Sequence, residues 1–243
     1  MTGIRALALA LVLALPMSAH ALTAEELVAK NLAARGGAEK LAALNTLKMT
    51  GKMQIGDFEL AVVNLRSRDA GFRFEGTLQG FTIVQAYDGK QGWQIQPFEG
   101  RRDAEKMSED DARALADQVA MEGVLLAAKD KGSTVTALGT EDMDGTEAHK
   151  LRVVEKDGDE YTYFLDPDTF LEIKLIEKRR LRGSEQETEY ELGDYEPVNG
   201  VMFPLSIEQW ARGSSQRQKI NFDTIEANVP IDAGIFKMPP SKS

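Results

Sequence analysis

The sequence predicts a mainly β (α+β) fold: a curled antiparallel half-barrel of about a dozen strands, with an N-terminal helix and a central helical insert covering a hydrophobic concavity. Three observations carry that prediction. From Thr46 onward the apolar residues recur with the period of two that belongs to strands rather than helices. The runs are short and separated by Gly- and Asp-containing pairs, as hairpin-connected antiparallel strands require. Near the middle lies a helical stretch that is apolar on every side at 124–128 and so must be covered on every side, with the first strands as the expected cover.

Each element has its own local reason. Residues 1–21 read as a cleavable signal peptide: Arg5 supplies the positive start, residues 6–15 an apolar run, and Ala19-His20-Ala21 an A-x-A cleavage site. That run is too short to span a bilayer, and no later stretch reaches the roughly 20 apolar residues a transmembrane helix needs. The expectation is an exported chain with no integral membrane segment after signal removal, and one domain over 22–243. Thr23-Ala24-Glu25-Glu26 is a capping box ahead of Leu27, Val28, Leu32 and Ala33, predicting a helix over 24–35 that stops at Gly36-Gly37. A further turn or two fits 39–44. Strands are expected at 48–55, 58–66, 71–78, 81–87 and 92–96.

Ser108-Glu109-Asp110-Asp111 caps a second helix and places acids in its first turn, where the helix dipole favours them; Ala112, Leu115, Ala116 and Val119 share one face. Gly123 divides this helix from the apolar stretch. Strands resume at 134–139, 148–156, 160–166, 171–182, 185–192, 203–212 and 216–226, with Lys156-Asp157-Gly158-Asp159 as a hairpin turn. A two-residue turn at Gly183-Ser184 pairs Arg182 with Glu185, Arg180 with Glu187 and Lys178 with Glu189, a ladder of opposite charges on a solvated outer face.

Composition narrows the chemistry. With 29 Lys and Arg against 39 Asp and Glu the formal charge is −10, which repels phosphate backbones and argues against a nucleic-acid partner. There is no Cys, and of two His only His149 survives signal removal, so thiolate chemistry, disulfides and ordinary zinc sites have no ligands. His149 shares a strand face with Leu151 and Val153 and reads as a half-buried structural residue; no G-x-S-x-G elbow, phosphate loop or dinucleotide fingerprint occurs. Glu141-Asp142-Met143-Asp144-Gly145 lacks the later acidic positions of a calcium loop and reads as a turn. No catalytic residue, cofactor or metal is assigned.

What remains is apolar shape. A curled sheet has a concave face fixed by the period of two, and helices across its mouth act as a lid. The candidate cavity residues are Met53, Phe58, Leu60, Val62, Phe81, Ile83, Trp93 and Ile95 from the strands, with Met107, Leu115, Val119, Met121 and Leu125 from the helical insert. The alternative is a core packed shut at crystal-like density.

Several segments resemble the LolA-like periplasmic outer-membrane lipoprotein-sorting protein family. They are Tyr87-Asp88-Gly89-Lys90-Gln91-Gly92-Trp93-Gln94-Ile95-Gln96-Pro97-Phe98, then Lys106-Met107-Ser108, and Tyr163-Phe164-Leu165-Asp166 with Leu171. Gly200-Val201-Met202-Phe203-Pro204, Asn228-Val229-Pro230-Ile231-Asp232 and Phe236-Lys237-Met238-Pro239 complete the set, in an order that spans nearly the whole chain after the signal. The resemblance implies a periplasmic carrier: an incomplete β-barrel, closed by helices over a hydrophobic cavity, that takes acyl chains of a lipoprotein or lipid. It also implies an inner-membrane exporter and an outer-membrane acceptor as partners. A second reading is a sensory or interaction module of the same architecture that binds a protein partner; an exported hydrolase is a third, disfavoured by the single His.

Overall fold

The computed structural model describes residues 21–181 and 183–240. The signal segment, apart from Ala21, and Arg182 lie outside the described residues. Two helices open the chain, α1 (Ala24–Ala34) and α2 (Ala38–Ala42), followed by six strands: β1 (Thr46–Ile55), β2 (Phe58–Ser67), β3 (Gly71–Leu78), β4 (Phe81–Tyr87), β5 (Gly92–Gln96) and β6 (Arg101–Lys106). Helices α3 (Glu109–Asp117) and α4 (Gly123–Lys131) come next. Seven further strands follow: β7 (Thr134–Met143), β8 (Thr146–Val154), β9 (Glu160–Leu165), β10 (Glu172–Leu181), β11 (Ser184–Val198), β12 (Val201–Ala211) and β13 (Gln218–Ala227).

All strands form one 13-stranded sheet in the order β6-β5-β4-β3-β2-β1-β13-β12-β11-β10-β9-β8-β7, every ladder antiparallel. The sheet is open, with β6 and β7 as its edges. Two meanders meet at one seam, β1 against β13. The chain leaves one edge at β6 and must enter the other at β7, so α3 and α4 carry it from edge to edge.

Local chemistry explains the helix ends. The Thr23 side chain accepts from the Glu26 amide at 3.2 Å while Glu26 accepts from the Thr23 amide at 2.8 Å, the reciprocal capping box expected. Ser108 caps α3 by accepting from the Asp111 amide at 3.2 Å. Asp144 and Gly145 both take positive φ in the β7–β8 turn, where the Asp142 carboxylate accepts from the Gly145 amide at 2.6 Å.

Three expectations are corrected. Strand β6 lies outside the expected strands, because Arg101-Arg102-Asp103-Ala104-Glu105-Lys106 has no apolar alternation; it is an edge strand held by backbone pairing to β5, and charge on an edge discourages pairing with other chains. The β10–β11 register is offset by two residues from that expected. Leu181 pairs with Ser184, Arg180 with Glu185 and Lys178 with Glu187. Gly183 supplies its φ of +82° at the second loop position rather than the first. A shift of two preserves the faces, so the charge ladder stays on the outer surface. The apolar helix α4 packs mainly on the second meander and on α1: Val124, Leu125 and Ala128 share a core with Leu27, Leu151, Val153, Tyr161 and Tyr163.

Candidate functional site

The inner face of the sheet follows from register. On β1 the residues Leu47, Met49 and Met53 are buried, and the pairing places Arg66, Asn64 and Leu60 opposite them on β2. Carrying the same alternation across the ladders brings Phe72 and Phe74 from β3, Ile83 and Gln85 from β4, and Ile220 and Phe222 from β13 to that side. From the second meander come Ile207, Tyr190, Glu177, Arg179 and Tyr161. Between this face and the α3–α4 segment lies a cavity of about 540 Å³, bordered on the helical side by Leu115, Asp117, Gln118, Ala120, Gly123 and Val124. A second, of about 210 Å³, adjoins it, and Arg66, Tyr163 and Ile207 border both.

Helix α3 is held over this space by charge. Arg179 of β10, 5% exposed, donates to Asp117 Oδ2 at 2.7 Å, and Lys131 of α4 reaches Asp117 Oδ1 at 3.2 Å. Arg179 also contacts Glu177 and the Tyr161 hydroxyl. Tyr190 donates to Glu177 Oε2 at 2.8 Å, and burial together with that carboxylate pushes its hydroxyl well above the ordinary phenol value. The wall is therefore mixed, with Gln85, Gln96, Gln209 and Gln218 set among the apolar residues.

Arg66 differs from the other inner cations. Its Nε donates to Asn64 Oδ1 and its Nη2 to Gln118 Oε1, both at 3.3 Å, and among the described residues no carboxylate lies within ion-pair distance of it. Burial, then the charge of Arg35, lowers its pKa to about 10, which leaves it cationic at neutral pH.

The residues expected from the sequence divide into three sets. Met53 and Ile83 line the larger cavity and Leu115 borders it from α3; Met121 and Leu125 line the smaller one. Leu60 and Val62 are buried in the adjoining core, Met107 borders a separate recess beside β5, and Val119 is half-buried in the turn after α3. Phe58 and Phe81 sit at hairpin tips, 59% and 42% exposed, so they form the rim rather than the wall. Trp93 and Ile95 are the third set and a correction, because they occupy the opposite face.

Register pairs Trp93 with Ala86 and Ile95 with Val84, whereas Gly92 faces Met107 and Ala112 of the helical side. Trp93 is sealed there by the C-terminal segment, donating to the Phe236 carbonyl at 2.7 Å. Sequence reasoning missed the polar inner residues Asn64, Arg66, Glu177 and Arg179. Counting on by twos from Leu60 and Val62 reaches Asn64 and Arg66, so the signal existed, but a search for apolar residues passes over it.

His149 stacks on Phe170 with ring centroids 5.5 Å apart, and Lys30 lies 4.5 Å above the same Phe170 ring. Among the described residues no side chain hydrogen-bonds to His149 as a catalytic dyad needs, and no cluster of His, Asp and Glu is arranged to hold a metal.

Neither a protein-family model nor a curated protein sequence matches the chain. Solved structures do. A structure described as an outer membrane lipoprotein-sorting protein domain from Vibrio parahaemolyticus aligns with a TM-score of 0.57 at 12% identity, covering 88% of this chain and 97% of that one. A LolA superfamily protein from Nitrosomonas europaea aligns at 0.55 and 14% identity, covering 89% and 98%. A DUF1329 family protein from Desulfovibrio piger aligns at 0.60 and 8% identity, covering 88% and 97%. What these likenesses establish is the fold: the chain has a LolA-like open half-barrel over nearly all of its described length.

Proposed function

We propose that this protein is an exported, periplasmic carrier that binds an acyl chain of a lipoprotein or lipid in the cavity beneath α3 and α4 and delivers it toward the outer membrane. The observation that carries the reading is the cavity of about 540 Å³ between the curled sheet and a helical segment that bridges the two sheet edges. A fold shared with a domain described as sorting outer membrane lipoproteins supports it.

The energetics suit a carrier. Each methylene removed from water contributes ~0.8 kcal/mol, so a buried chain is held without covalent chemistry. Release then requires displacement of α3 and α4 or a competing site, because a passive tight cavity never unloads. No resident cofactor enters this reading, and the inner-membrane exporter and outer-membrane acceptor are where directionality would come from.

The test is native mass spectrometry of the protein purified gently from the periplasm, alongside uptake of a fluorescent acyl chain. Bound or absorbed lipid is expected, and Leu115→Glu should reduce it by at least about tenfold by placing a charge in the apolar wall. A folded wild-type protein that neither carries nor takes up acyl chains would overturn the proposal and favour a module that binds a protein partner.

A further inference from the structure

Resting on the acyl-binding reading, we infer that Arg66 is a head-group residue and that the cavity selects a single-chain amphiphile ending in an anion, a carboxylate or a phosphate. The chain has ten more acidic than basic groups, so carboxylates are abundant. The other inward cations use them: Arg35 meets Glu172 at 3.0 Å and Arg179 meets Asp117 at 2.7 Å. Arg68, the next inward-leaning cation of the same stretch, meets Glu122 at 3.1 Å.

Arg66 alone among these has no carboxylate: among the described residues its hydrogen-bond partners are two neutral amide oxygens, each at 3.3 Å, and its Cζ lies 5.9 Å from the centroid of the Phe72 ring. Arg66 is half-buried, and a cation at a cavity wall with no opposing carboxylate is left available to the anion of a ligand. A guanidinium also offers parallel donors that match the oxygens of a carboxylate or phosphate.

Position makes the ligand an amphiphile rather than a free anion. Arg66 lies between the two cavities, with Phe72 and Phe74 on the neighbouring strand and Leu115 and Val124 on the helices. An anion on Arg66 therefore has apolar wall on either side for its tail. If a methylene occupies about the ~30 Å³ of a water in the liquid, the larger cavity holds one chain and has no room for two long ones. The lowered Arg66 pKa fits the same picture, because an anionic head would restore what burial and Arg35 withdraw.

The experiment compares three sixteen-carbon ligands on the full mature chain: palmitate, palmitoyl lysophosphatidate and hexadecanol. Binding is read by displacement of a fluorescent acyl probe and folding by circular dichroism. Wild type should bind one or both anionic ligands at least about tenfold more tightly than hexadecanol, and which anion wins identifies a carboxylate or a phosphate head. Arg66→Gln should erase that preference while keeping hexadecanol affinity, and Arg66→Lys should retain part of it. Equal affinity of wild type for charged and neutral ligands would overturn the inference. So would equal weakening of all three ligands in a folded Arg66→Gln or Arg66→Lys variant, which would make Arg66 a fastening for α3 through Gln118. Failure of wild type to bind any of the three would instead overturn acyl binding itself.

Discussion

Arg35 and Glu172 are nearly removed from water, at 11% and 7% side-chain exposure, and among the described residues neither makes another ion pair. Arg35 Nε also donates to the Met202 carbonyl at 3.0 Å, so the end of α1 is tied to β10 and β12 at once. Truncating one partner leaves an uncompensated buried charge. Arg35→Ala is therefore expected to lower unfolding free energy by about 3–5 kcal/mol in urea titrations, whereas joint replacement of Arg35 and Glu172 by Met should cost far less. Trp93 gives a contrasting residue-scale prediction. It packs outside the sheet under Phe236, so Trp93→Ala should destabilise by about 3–5 kcal/mol yet leave acyl uptake per folded molecule unchanged. Equal loss of uptake and stability, measured on the same samples, would place Trp93 in the binding wall after all. Its face was not legible locally, because the segment that covers it lies 143 residues further along the chain.

At the scale of elements, α3 is the part that decides access to the cavity. It touches β5 so closely that a Cβ added at Gly92 would stand 2.8 Å from the Ala112 Cβ and 3.0 Å from its Cα. Gly92→Ala should therefore push α3 off the sheet, lowering stability by roughly 1–3 kcal/mol and speeding amide exchange over 109–118. At its other end α3 is fastened through Asp117 to Arg179 and Lys131. Asp117→Asn removes the charge from both contacts, and faster dissociation of a bound acyl probe is the expected stopped-flow result. The start of α3 was legible in Ser108 and the acids after it. Its fastening was not, since Arg179 lies 62 residues further along the chain and meets Asp117 only through the tertiary fold.

The whole molecule is two meanders joined at β1 and β13, and at that seam Gly51 faces a bulge where its pairing jumps from Thr224 to Phe222. A Cβ on Gly51 would lie 2.1 Å from the Asn221 carbonyl oxygen, so the seam closes only with glycine there. Gly51→Ala should part the halves, seen as a broader urea transition with a lower m-value and a loss of acyl uptake, because the cavity takes its walls from both meanders. Period-two alternation, turn residues and two helix caps were enough to specify the strands, the helices and the curled antiparallel class, because each depends on residues within a few positions of one another. Which meander covers α4, which face holds Trp93, and the meeting of Arg66, Arg179 and Gln218 around one cavity depend on the β1–β13 seam and on the passage of the chain from β6 to β7. Those are relations between residues far apart in sequence, and they arise only when strand register and edge-to-edge connection are formed together.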